Sequence, residues 1–221
     1  MPLPARCCIG VAPSERGTQL LSATFTRGQL LSRSAKGGAA LLVAGSAVGA
    51  LVDAAAAAPL PTTDLAYARL LVGAELLASD FYTQAIAAAN TGPTVTKYLK
   101  LAHANEQEHY QSVAGIVSGA GQTPAVAGDI DFSYPDGTFD SQGSIVKFAQ
   151  QLETTILGAY LGAIGGIQTN ELKTGIARIA ACEAQHASYF ATVMGGKAFN
   201  LSFPSDLAID QASNALDAYT A

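Results

Sequence analysis

Apolar residues recur every three to four positions along four long stretches, the spacing at which one face of an α-helix meets a core. The first pattern covers residues 63–89, opened by Thr62, Thr63 or Asp64 as N-cap and stopped by Asn90, Thr91 and Gly92. The second starts at Pro93, a residue suited to a first helical turn, and runs to 118 before Gly119 and Gly121 end it. The third spans 144–168, and a short link at Thr169 and Asn170 leads to the fourth, 171–194, which stops at Gly195 and Gly196. A shorter pattern over 205–219, capped by Ser205, has a weaker apolar stripe.

No helical period fits 121–143, which contains Pro124, Gly128, Pro135, Asp136 and Gly137. Roughly twenty extended residues reach about 60 Å at ~3.3 Å each, whereas a helix of about 26 residues spans about 39 Å. The segment is therefore long enough to cross a bundle and return the chain to its starting end. Short, long and short connections predict an all-α four-helix bundle with its second and third helices parallel, closed by a short C-terminal helix. An up-down-up-down bundle with a loose loop is the alternative. The apolar part of the loop, Ile130 to Phe139, fits a groove between the second and third helices, or a subunit contact.

With 221 residues, 49% of them hydrophobic and 13% charged, the chain can bury a sizeable core in one domain. A net charge of -5 provides no basic field for a phosphate backbone, so nucleic acid is not an expected partner. Cys7 and Cys8 lie near the start and Cys182 far from them, which leaves no disulfide inside a domain that begins after residue 58. Cys182 reads as a small buried core residue.

Residues 1–58 read as an export leader and 59–221 as the folded domain. Arg27, Arg33 and Lys36 precede a Gly/Ala/Leu/Val run from Gly37 to Val52, followed by Ala54 to Ala58, an order of basic, apolar and small residues. The segment Thr26-Arg27-Gly28-Gln29-Leu30-Leu31 resembles a twin-arginine export signal with glycine in place of the second arginine. A transmembrane helix needs about 20 strongly apolar residues. This run is interrupted by Asp53 and dominated by alanine and glycine, so cleavage among Ala55 to Ala57 is expected rather than a retained anchor. The expected location is the periplasm, the cell envelope or the outside.

The chemistry lies in two Glu-x-x-His motifs, Glu106 with His109 on the second helix and Glu183 with His186 on the fourth. Residues three apart share a helical face, so each glutamate and its histidine can reach one ion. The first helix adds Glu75, in phase with Ala68, Leu71, Val72, Ala78, Ser79 and Tyr82. The third adds Glu153, in phase with Val146, Ala149, Ile156, Leu157 and Tyr160. A carboxylate in an apolar stripe costs several kcal/mol unless it is paired or binds a metal. No lysine or arginine lies in phase beside either one. The halves repeat: Glu75 to Glu106 is 31 residues and Glu153 to Glu183 is 30, and Tyr82 and Tyr160 each follow their glutamate by seven. Six glutamates occur after residue 58, and four belong to this set. His103 reads as a packing or surface histidine and Glu108 as solvated. Tyr82 and Tyr160 read as core aromatics, with hydrogen bonding near the carboxylates as the alternative.

This set resembles the ligands of the ferritin-like superfamily of di-iron and di-manganese carboxylate proteins, over about residues 63–194. The resemblance implies that Glu75 and Glu153 are terminal carboxylates, that Glu106 and Glu183 bridge two metals, and that His109 and His186 each bind one. The alanine-rich, exported character is similar to bacterial ferritin-like-domain proteins grouped with desiccation-related proteins. Mixed carboxylate and imidazole ligands suit two iron ions, or alternatively two manganese ions, with dioxygen or peroxide as the partner. Three functions follow as expectations: Fe(II) oxidation by oxygen or peroxide, manganese-dependent peroxide dismutation, or a stress or envelope protein braced by metal without turnover. Storage in a hollow shell is not expected, and an oligomer remains open.

Overall fold

A computed structural model describes residues 59–198 and 201–220; the leader expected at 1–58 lies outside them. Helix α1 runs Thr62–Ala87, α2 Pro93–Gly119, α3 Gln142–Gly166, α4 Asn170–Val193 and the short α5 Ile209–Asp217, with one turn of 3-10 helix at Ala127–Asp129. Helix α1 packs along α2 and α3 along α4; α1 also lies against α3, and α5 packs on both α1 and α3. The result is an all-α bundle, as the apolar spacing predicts, of the ferritin-like kind that the resemblance implies.

Several helix ends follow from local chemistry, and one from a distant carboxylate. Helix α1 stops where Ala89 takes a left-handed conformation at φ 55°. Gly121 and Gly195 supply the same conformation after α2 and α4 at φ 72° and 77°, at no steric cost. Helix α3 starts two residues before the expected position because Ser141 is its cap: Ser141 Oγ accepts from Ser144 N at 3.1 Å, and Ser144 Oγ accepts from Ser141 N at 3.1 Å. None of the three expected caps of α1 serves there; Pro61 occupies the position without a side-chain bond. Asp64 is instead fully buried and accepts from Gln168 N at 2.7 Å and Thr169 N at 2.9 Å. The carboxylate thus ties the start of α1 to the α3–α4 link and ends α3 at Gly166, because those two amides are bonded outside a helix.

The long loop does cross the bundle. Gln122, at its start, accepts from Arg69 near the beginning of α1 at 2.9 Å. Tyr134 reaches mid-helix, donating to Asp80 Oδ2 at 2.8 Å. At the far end Phe139 accepts from Asn90, just past α1, at 2.8 Å. Helix α3 therefore begins where α1 ends, and runs parallel to α2. The apolar part of the loop, Ile130 to Phe139, does not fill the expected groove between α2 and α3. Tyr134 and Phe139 pack instead on Phe81 of α1, and Tyr134 on Phe148 of α3, with ring centroids 5.0–6.0 Å apart in the cluster these four form. The α1–α3 face receives it through the aromatic rings of Phe81 and Phe148, which the loop rings extend.

The fifth helix is shorter than its pattern. Residues 205–208 lie as extended chain against α3, where Leu207 N donates to the Gly158 carbonyl at 2.9 Å. Gly158 and Gly162 make this approach possible: a Cβ on Gly162 would stand 1.8 Å from the Leu207 carbonyl oxygen. Beyond α5, Ser133 N donates to Tyr219 O at 2.8 Å, so loop and C-terminal arm close over α1 and α3 together. Among the described residues no helix is long and apolar enough to cross a membrane.

Gly162→Ala forces that arm off α3, with an expected loss of about 1–3 kcal/mol. The change should show as a lower Tm and faster amide exchange at Leu207. Gly73→Ala, whose methyl meets nothing within 4 Å, should instead raise stability by up to about 1 kcal/mol.

Candidate metal centre

Each of the four long helices turns its polar break inward. The buried stripes of α1 and α3 carry Glu75 and Glu153, and those of α2 and α4 carry Glu106 and Glu183, all four at 0% exposure. His186 is buried and His109 is 12% exposed at its side chain. The structure brings all six sequence-predicted residues to one place. His109 Nδ1 lies 2.8 Å from Glu183, 3.2 Å from Glu106 and 3.8 Å from Glu75. His186 Nδ1 lies 2.9 Å from Glu106, 3.4 Å from Glu153 and 3.5 Å from Glu183.

Two overlapping groups result, Glu75–Glu106–His109–Glu183 and Glu106–Glu153–Glu183–His186, each with its ligand atoms within 4.8 Å of one another. Glu106 and Glu183 belong to both. Several of these atoms, including Glu75 Oε2, Glu153 Oε2, both oxygens of Glu183 and His186 Nδ1, are buried without a hydrogen bond. Neighbours 2.9 Å apart, such as His186 Nδ1 and Glu106 Oε1, thus converge without bonding geometry. Orphaned buried donors and acceptors are rare because each costs about 1–3 kcal/mol or more. Convergent carboxylate oxygens and imidazole nitrogens fit a cation that would satisfy all of them.

Charge tells the same story. Burial first, then the Glu106 and Glu183 charges, hold Glu75 and Glu153 well above the usual carboxylate range. Burial alone would lower the imidazoles, but Cys182 and the close carboxylates of Glu106 and Glu183 outweigh it, and both stay protonated far above the usual histidine range. Burial raises Glu183 too, yet the two imidazoles beside it, His109 and His186, win and bring it to about 2. Without a cation, protons take the place of positive charge.

Residues around the six hold them in position. Tyr82 on α1 donates to Glu153 on α3, and Tyr160 on α3 donates to Glu75 on α1, a crosswise exchange that follows the internal repeat. Both tyrosines are core aromatics and hydrogen-bond donors at once. Asn105 and Cys182, each one residue before a motif glutamate, are not legible as site residues from spacing alone. The Asn105 amide lies 3.0 Å from His186 Nε2 and the Cys182 sulfur 3.6 Å from it. Cys182 is half-buried beside an imidazole rather than inside the core. His103 stays outside the cluster, 3.3 Å from Thr83 Oγ1 on α1, and Glu108 is exposed.

The sequence matches the family described as "Ferritin-like domain" over residues 63–196. The chain belongs to the ferritin-like family. No curated protein matches it. The matched span of this ferritin-like domain takes in α1 to α4 and all six clustered side chains, and leaves α5 outside.

Glu75, Glu153, His109 and His186 hold protons more tightly in the metal-free fold than in the unfolded chain. Such stabilisation is lost as pH rises, from about pH 4.5 for the glutamates and about pH 6.5 for the histidines. Glu183, held low, contributes the opposite way and loses its share only as pH falls toward about 2. The Tm of chelator-stripped protein should therefore decline above about pH 6.5, and metal, which displaces those protons, should remove the decline. Thermal melts across pH with and without chelator check it; a rising Tm in the stripped protein would contradict it.

Proposed function

We propose that this ferritin-like protein binds two iron ions in its core and oxidises Fe(II) with dioxygen or peroxide outside the cytoplasm. The observation that carries the reading is the pair of four-ligand groups sharing Glu106 and Glu183. In this reading Glu75 and His109 complete one half of the site, Glu153 and His186 complete the other, and Glu106 and Glu183 bridge. Four carboxylates and two neutral imidazoles carry four negative charges, which two divalent cations cancel. That balance removes the cost of burying them. When bound, the metal pair supplies the electrons that reduce dioxygen or peroxide.

The chain's own groups then have distinct tasks. Tyr82 and Tyr160 hold one oxygen of Glu153 and of Glu75, leaving the other oxygen of each for coordination. Asn105 fixes the ring of His186 through Nε2, so that Nδ1 faces the carboxylates. A shell of apolar residues, among them Leu71, Ile156 and Phe190, excludes bulk water from the buried oxygens. Partial exposure of His109 marks the side from which ions and oxidant arrive. The exported location is part of the proposal and is supported by the leader pattern alone.

Elemental analysis of protein from its native host should find about two iron ions per chain, by analogy with two-metal sites. Anaerobic Fe(II) followed by oxygen or peroxide should then produce rapid near-ultraviolet absorbance. Manganese in place of iron, with peroxide loss, would assign the dismutase reading; metal without turnover would assign a structural brace. Glu106→Ala with Glu183→Ala should abolish metal binding and keep the helical circular dichroism; unchanged metal content would end the ligand assignment.

The leader proposal has its own readout. Protein recovered outside the cytoplasm should begin near Ala56 to Ala58, whereas an intact start in a membrane fraction would favour an anchor.

A further inference from the structure

Helices α2 and α4 stand further apart than α1 and α3, and two tyrosines bridge the space between them. The rings of Tyr98 on α2 and Tyr189 on α4 lie parallel, with centroids 3.4 Å apart and an interplanar angle of 9°. Neutral aromatic rings avoid this arrangement; they prefer offset or edge-to-face contacts with centroids about 4.5–7 Å apart. Removing one electron weakens that opposition, because two overlaid faces can share the unpaired π electron between them. The same Tyr98 ring meets His186 edge-on at 6.1 Å and 87°, and Phe190 at 5.4 Å. His186 is in turn one of the clustered imidazoles.

We propose that Tyr98 and Tyr189 are a redox-active pair, which takes an oxidising equivalent from the metal centre through His186 and holds it where a small external phenol can reduce it. It rests on the metal-centred reading. Both tyrosines are half-buried and line a surface groove of about 670 Å³ together with Gln150, Thr154 and Ser188. A phenol fits a groove of that size, whose wall includes both rings. Loss of an electron from a tyrosine phenol releases its proton as well. Tyr82 and Tyr160 lie closer to the carboxylates but are fully buried, out of reach of an outside donor. The chain has no tryptophan, so tyrosines are its most easily oxidised aromatic groups.

The electrons balance as follows. Each oxidation removes one electron and one phenolic proton from the pair. Two electrons and two protons convert one hydrogen peroxide at the centre into two waters. Two external phenols, each giving one electron and one proton, restore the pair and leave as phenoxyl radicals. With no donor present, the two rings join through one carbon–carbon bond, and the pair has lost two hydrogens to the same peroxide.

Two arms test this on the full chain. In the first, metal-free protein is irradiated with a ruthenium tris-bipyridine photo-oxidant and persulfate, then peptide-mapped. A Tyr98–Tyr189 cross-link lacking two hydrogens, absent from Tyr98→Phe and Tyr189→Phe, is expected; cross-links spread over other tyrosines, or none, would overturn the pair. In the second, Fe(II)-loaded protein is given peroxide and guaiacol. The double phenylalanine variant should oxidise guaiacol at least tenfold more slowly with the same iron content and Tm, and a wild-type rate in that variant would overturn the relay. A wild-type protein that consumes no peroxide would instead remove the metal-centred reading and the link to the centre, while the cross-link still decides whether the two rings act as a pair.

Discussion

Four carboxylates enclosed with two imidazoles in one helical core set the terms for everything around them. Each buried charge left without a counter-charge costs several kcal/mol, and no lysine or arginine approaches these glutamates among the described residues. Protons can meet that demand, as the raised Glu75, Glu153, His109 and His186 show. They meet it incompletely, since several oxygens of the cluster still lack a bond. Cations answer the same need fully, which is why the proposed metal pair accounts for the geometry with fewer exceptions than an ion-pair network does.

The remainder of the bundle divides into a closed side and an open side. On the α1–α3 side the crossing loop, the aromatic cluster around Phe81 and Tyr134, and the C-terminal arm seated on Gly158 and Gly162 stack several layers over the carboxylates. Tyr82 and Tyr160 exchange bonds across this side and hold α1 and α3 in register. On the α2–α4 side the helices stand further apart, and the space is filled by the imidazoles, Asn105, Cys182 and the stacked Tyr98 and Tyr189. Chemistry-bearing groups therefore gather where the wall is thinnest, and apolar cover gathers where only sealing is needed.

Much of this was legible along the chain because it obeys helical arithmetic. An apolar stripe interrupted by one glutamate, and a glutamate and histidine three apart, are periodic signals that survive without any knowledge of neighbours. Once helices form, inward-facing positions must meet, so the six clustered residues followed from phase alone. Helix ends were less legible. Asp64 has the composition of a cap, but its carboxylate found two amides at 168 and 169, more than a hundred residues away in sequence. Ser205 likewise looked like a helix start, until the Gly158–Gly162 surface captured the next residues as extended chain.

By itself, then, the sequence determined four amphipathic helices, the long crossing and the six inward polar groups, because each depends on periodicity within one helix. The tertiary structure alone decided the partners of those groups. It set which tyrosine bonds which glutamate, that Asn105 and Cys182 flank His186, that the loop covers α1 and α3, and that Tyr98 overlies Tyr189. Those outcomes depend on how far apart two helices stand and how they are rotated, and the packing of side chains between helices fixes both.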